Sequence, residues 1–282
     1  MNGCKKQRLL LMLCGLGMPL LAQADGVTQY LEDKARVQLG GFRPKIDSGI
    51  SIHGNNGRVG DDLDMESDLG MSDSKTSPWV GVSYRFADKH RVGISYFGLN
   101  RTAGKTLERS FNIGDQTYTA GLDSHSTLDI DVTVLDYNYL FSKSDHHEAF
   151  VAVGLHRIGV STSVAADASL SNNNGGIAST AIETTARSVH APLPVLGVGG
   201  SYVFNNAWAI SGGLRYFGIN VDKIDGSLGT AEASVQYHPW RNVGLSLGYA
   251  FDRLDMDLNK EKWQGSARYD FKGVTFGVIS HF

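Results

Sequence analysis

The last twenty residues, 263–282, constrain the chain most. Trp263, Gly265, Ala267, Tyr269 and Phe271 fall on one face of an extended segment. Gln264, Ser266, Arg268, Asp270 and Lys272 fall on the other. A side-chain period of two is that of a strand with one apolar and one polar side. After Gly273 the phase reverses, and Val274, Phe276, Val278 and Phe282 carry the apolar face. A glycine at such a reversal predicts a β-bulge. A second reversal lies upstream: Leu128, Ile130, Val132 and Val134 share one face, then Leu135, Tyr137, Tyr139 and Phe141 the other.

The opposite end reads as a leader. Lys5, Lys6 and Arg8 precede an apolar run to Leu21, and Ala22-Gln23-Ala24 is a small-x-small cleavage pattern. This predicts a secretory signal peptide over residues 1–24. Its apolar run is shorter than the ~20 residues that cross a bilayer as a helix. Both cysteines, Cys4 and Cys14, lie in it, so the remaining chain has no disulfide, thiolate catalysis or cysteine-based zinc site. Removing three bases takes the formal charge from −3 to about −6, which gives no general attraction to nucleic acid.

Between these ends the chain alternates strand by strand. The 34 glycines and 6 prolines suit strands and turns better than helices, and no later stretch is long and apolar enough for a membrane helix. Short turns are predicted at 88–90, 142–147, 205–206 and 239–242, and turn-rich tips at 54–57, 114–116, 172–176, 225–226 and 259–261. The arms between them exceed the ~9–11 residues that a tilted strand needs to cross a bilayer.

An apolar-out strand ending on Phe282, with Phe276 and Val278 in phase, resembles the closing strand of bacterial outer-membrane β-barrels. The resemblance implies that Phe276, Val278 and Phe282 act as a signal to the barrel-assembly machinery. It also implies outer-membrane lipid and lipopolysaccharide as surroundings, and an outer-membrane location. A second resemblance, over residues 60–120, is to a poorly characterised group of proteobacterial outer-membrane proteins. It rests on the acidic run 60–71, then Tyr84-Arg85-Phe86, His90-Arg91, Ser95-Tyr96-Phe97 and Asn100-Arg101. It implies a barrel and no defined activity.

The expected fold is therefore an all-β antiparallel barrel over residues 35–282, after a polar lead-in at 25–34. Ten strands are expected, with eight or twelve open, joined by short periplasmic turns and longer outer loops. Inward positions fall to small residues such as Gly81, Ser83, Gly93, Ser95, Gly244, Ser246 and Gly248. A lumen charge network is predicted from Arg85, Arg215, Glu232, Arg268 and Asp270, with Asp136 a further candidate. Such charges either pair to fill a closed lumen or line a narrow pore.

Asp61, Asp62, Asp64, Glu66 and Asp68 lack EF-hand spacing, so the acidic run reads as a solvated segment rather than a calcium loop. No cofactor or metal is implied. A hydrolase reading could draw on Asp123, His125, Ser126, His156 or His190, but no motif gathers them. A surface-interaction reading draws on the Ser- and Thr-rich arms of 161–185. Oligomeric state does not follow from the sequence.

Overall fold

The computed structural model describes residues 31–53, 61–113, 116–171, 177–205, 207–221, 224–260 and 263–282. The leader 1–24 and the loop tips at 54–57 and 172–176 lie outside the described residues. Among the described residues there are thirteen strands: β1 (Ala35–His53), β2 (Asp62–Asp64), β3 (Ser77–Ala87), β4 (His90–Thr106), β5 (Phe111–Ile113), β6 (Gln116–Tyr118), β7 (Asp123–Lys143), β8 (His147–Ser171), β9 (Ile177–Val203), β10 (Trp208–Val221), β11 (Ile224–Trp240), β12 (Val243–Lys260) and β13 (Trp263–His281).

Ten of these form one antiparallel wall in the order β1, β3, β4, β7, β8, β9, β10, β11, β12, β13, and β13 pairs back onto β1 to close it. Closure gives every strand of the wall a neighbour on both sides over its lower part, the arrangement in which backbone groups pair between strands. The four short turns fall where alternation predicts them. The long connections differ from expectation. Among the described residues, short elements follow β1 and β4, whereas the other long strands end within a few residues of the start of the next.

Below, the outward positions are mostly apolar, and their large side chains are exposed. Leu39, Val82, Ile94, Leu135, Val153, Leu196, Leu214, Leu247 and Phe276 make the belt. Tyr84, Phe86, Tyr139, Phe141, Phe204, Trp208, Tyr237 and Trp240 rim it on the side of the short turns. An exposed apolar belt with an aromatic girdle fits a hydrocarbon phase.

Above the belt the pattern inverts. Phe42, Ile46, Leu99, Leu128, Ile130, Ile158, Leu228, Leu254, Tyr269 and Phe271 point inward and form one buried core. The two phase reversals mark this inversion and are not bulges. The ladders β1–β13 and β12–β13 run through Gly273 without a shift, and on β7 the shift lies only between Leu140 and Ser142. A strand of fixed parity carries its apolar residues outward along the exposed belt, and inward where the packed core lies.

This corrects the placement of two predicted lumen charges. Arg268 and Asp270 share the parity of Val274 and Phe276, so they point outward, above the belt. There they pair with Asp255 and Arg253 of β12, at 2.7 Å for Arg268 Nε to Asp255 Oδ1 and 2.6 Å for Arg253 Nε to Asp270 Oδ1. Cysteine substitution tests the parity. On intact cells, Arg268→Cys should react with a membrane-impermeant maleimide, and Tyr269→Cys, whose side chain is buried, should not. Equal labelling would restore the bulge.

Candidate functional site

The inside of the barrel has a floor, a chamber and a cap. The floor lies at the short-turn end and is ionic. Glu148 of β8 accepts two bonds from Arg91 of β4, at 2.8 and 2.9 Å. Arg85 of β3 and Arg36 of β1 approach it at 3.3 and 3.5 Å. Asp33, just before β1, accepts from Arg36 Nη2 at 3.0 Å and meets His281 Nδ1 at 2.9 Å. His281 Nε2 in turn meets His238 Nε2 at 3.1 Å. If Nδ1–H of His281 donates to Asp33, its Nε2 is the acceptor and His238 the donor. Burial alone would raise the Asp33 carboxyl. The His281 hydrogen bond and the Arg36 charge outweigh it and hold the group below the ordinary carboxylate value. Glu148 and these three arginines are all at least nine-tenths buried.

The cap closes the other end. β3 starts only at Ser77, so above it the wall between β1 and β4 is open, and residues 61–76 fill the gap. β2 pairs with β1 from Gly49↔Asp64 to Ser51↔Asp62, and Met65 N donates to Ser48 O. Leu63, Met65, Leu69 and Met71 turn inward and are buried. The acidic run is thus a half-buried plug, not the solvated segment expected. Its acids anchor it: Glu66 pairs with Arg101 and Ser48, and Asp68 pairs with Arg109. The β5–β6 hairpin packs on the same core through Phe111 and Tyr118, whose hydroxyl donates to Val164 O at 3.0 Å.

Between floor and cap lies a chamber of about 430 Å³. Its central base is Arg215 of β10, bonded to Asp136 of β7 at 2.9 Å and Glu232 of β11 at 3.1 Å. Gly154 and Gly197 make this possible. A Cβ at the first would strike the Asp136 carboxylate, and one at the second the Arg215 stem. Glu232 points inward yet its side chain stays 59% accessible, because it borders the chamber.

Of the five predicted lumen charges, Arg85 therefore joins the floor, Arg215 and Glu232 the chamber, and Arg268 and Asp270 neither. Asp33, Arg36, Arg91, Glu148 and His281 escaped sequence reasoning. The available signal was parity: Arg36, Arg85, Arg91, Glu148, His238 and His281 all sit in inward phase at or near short-turn ends.

Of the hydrolase candidates, His125 and Ser126 project to opposite faces of β7, and His156 faces the chamber, while the side chain of His190 lies outside the described residues. Among the described residues one trio, Asp47, Asp64 and Glu66, brings carboxylate oxygens within 4.8 Å. Glu66 there is already held by Arg101 and Ser48.

This architecture is that of bacterial outer-membrane β-barrels. The outer membrane protease OmpT from Escherichia coli aligns with a TM-score of 0.59 at 12% identity, over 89% of this chain and 97% of that one. The transport unit of the autotransporter AIDA-I from Escherichia coli aligns at 0.40 and 10% identity, over 88% and 90%. The Pseudomonas putida toluene transporter TodX aligns at 0.35 and 10%, over 89% and 90%. The OmpT likeness shows the fold alone, and the two lower scores add nothing to it. No family model and no curated protein matches the chain.

Two outcomes follow from the floor and the cap. Glu148→Gln leaves three buried arginines short of a counter-charge. It should destabilise the barrel by about 3–5 kcal/mol in urea unfolding, the scale for breaking a buried pair. The hydrogen bond from Arg109 holds the Asp68 carboxyl below its ordinary value. Its stabilisation is complete above the unfolded value, roughly 3.9, and is lost as pH falls through the lower folded value. Proteolysis within 61–71 should therefore rise below about pH 4, and Arg109→Ala should show the same sensitivity at pH 7.

Proposed function

We propose that the protein is a bacterial outer-membrane barrel whose lumen stands closed: a structural barrel, or a narrow pore that conducts only when floor and cap are displaced. One observation carries this reading. Packed side chains occupy the lumen at both ends, an arginine–carboxylate network below and an apolar core above. A desolvated charge is costly in both layers, which supports a lumen that does not conduct at rest. Outer-membrane lipid and lipopolysaccharide are the partners of the belt. Phe276, Val278 and Phe282, all outward and exposed, are the strand read by the barrel-assembly machinery.

Planar-bilayer recording tests the closed reading. The unmodified protein should give no steady conductance, and a steady open level would overturn the proposal. A variant lacking residues 61–71 and carrying Arg91→Ala and Glu148→Ala should conduct if the barrel is a gated pore. Silence in that variant would leave the structural role. Phe282→Ala should reduce the SDS-resistant, heat-modifiable form in membranes. An unchanged yield would remove Phe282 from the assembly signal.

A further inference from the structure

The chamber holds a carboxylate that its wall does not answer. Asp252 of β12 faces inward opposite Thr230 and Phe271 and borders the cavity, and no hydrogen bond or ion pair reaches it among the described residues. Arg215 already serves Asp136 and Glu232. The bases of the floor are bound to Glu148 and Asp33. The middle of the chamber therefore sets one cation against three carboxylates.

An independent feature points the same way. His156 and Gln236 border the chamber and are 5% and 2% exposed, yet His156 Nε2 and Gln236 Oε1 have no partner. Asp136 Oδ1 and Asn138 Oδ1 are also without one. Three of these four atoms can only accept, against two partnerless donors on the same lining, Trp79 Nε1 and Arg215 Nε, so acceptors are in excess. The rings of Trp79, Phe97 and Phe150 line the same space, and aromatic faces attract cations.

We infer that the chamber is a binding site for a small organic cation: a protonated amine with an apolar body. Its ammonium N–H groups bond Asp252 and the orphan acceptors, and its apolar part lies against the rings and the cap. The oxygens of Asp136, Glu232 and Asp252 do not gather within 4.8 Å, so a ligand that spans them fits better than a bare metal ion. The volume lies within the range of small-molecule sites, about 300–1,000 Å³.

This inference rests on the closed-lumen reading, and calorimetric titration of the detergent-extracted barrel tests it separately. Phenethylamine, 2-phenylethanol and phenylacetate are compared. The amine should bind saturably, about tenfold or more tighter than the alcohol, as charge-assisted bonds are stronger than neutral ones. Phenylacetate should be weaker still. Asp252→Asn, checked for folding by heat-modifiable migration, should lose about tenfold for the amine and little for the alcohol. The series is repeated in Arg101→Ala, whose cap has lost its anchor, so that slow entry is not mistaken for lack of affinity. Equal binding of amine and alcohol, an amine affinity indifferent to Asp252→Asn, or no saturable amine binding in either protein overturns the proposal. Steady conductance in bilayers would instead remove the closed lumen beneath it.

Discussion

The ladder between β13 and β1 fixes everything else. Its register runs from Arg36↔His281 to His53↔Gln264 without a shift. Once that ladder closes the ring, a one-residue slip anywhere would exchange inside for outside along a whole strand. Parity is thereby set for each long strand, and the chain can adapt to its surroundings only through the residue placed at each level. This is why β7 and β13 carry apolar side chains outward low down and inward high up.

The two closures of the lumen use different chemistry for a physical reason. At the floor, the inward positions of neighbouring strands converge near short turns, and long guanidinium groups reach one shared carboxylate. Glu148 can serve Arg36, Arg85 and Arg91 because a carboxylate accepts at several lone-pair sites. The cap has no such convergence. It fills a wall gap above the short β3, and Met65, Leu69 and Met71 seal it by apolar burial, with Glu66 and Asp68 fastening its edge.

The ring of strands was legible because each lower arm shows plain alternation and each short turn shows a break in it. The orientation of Arg85, Arg215 and Glu232 followed from the same parity. What failed was the reading of Gly273. A local rule took the change of apolar face for a change of backbone, whereas the environment had changed and the backbone had not. The cap failed for a similar reason. Leu63, Met65 and Leu69 were visible between acids, but the pocket receiving them is built by Ile46, Leu128 and Tyr269, which are distant in sequence. The partners of Glu148 come from three other strands, and no local pattern names them.

The position of the cap in the chain bears on assembly. Residues 61–71 come early, while Tyr269 and Phe271, part of the core they join, belong to the last strand. Contacts so distant in sequence form late. The core that the cap joins is therefore complete only once β13 has docked. A sealed lumen is then also a record that closure has occurred, with the earliest segment waiting on the latest strand.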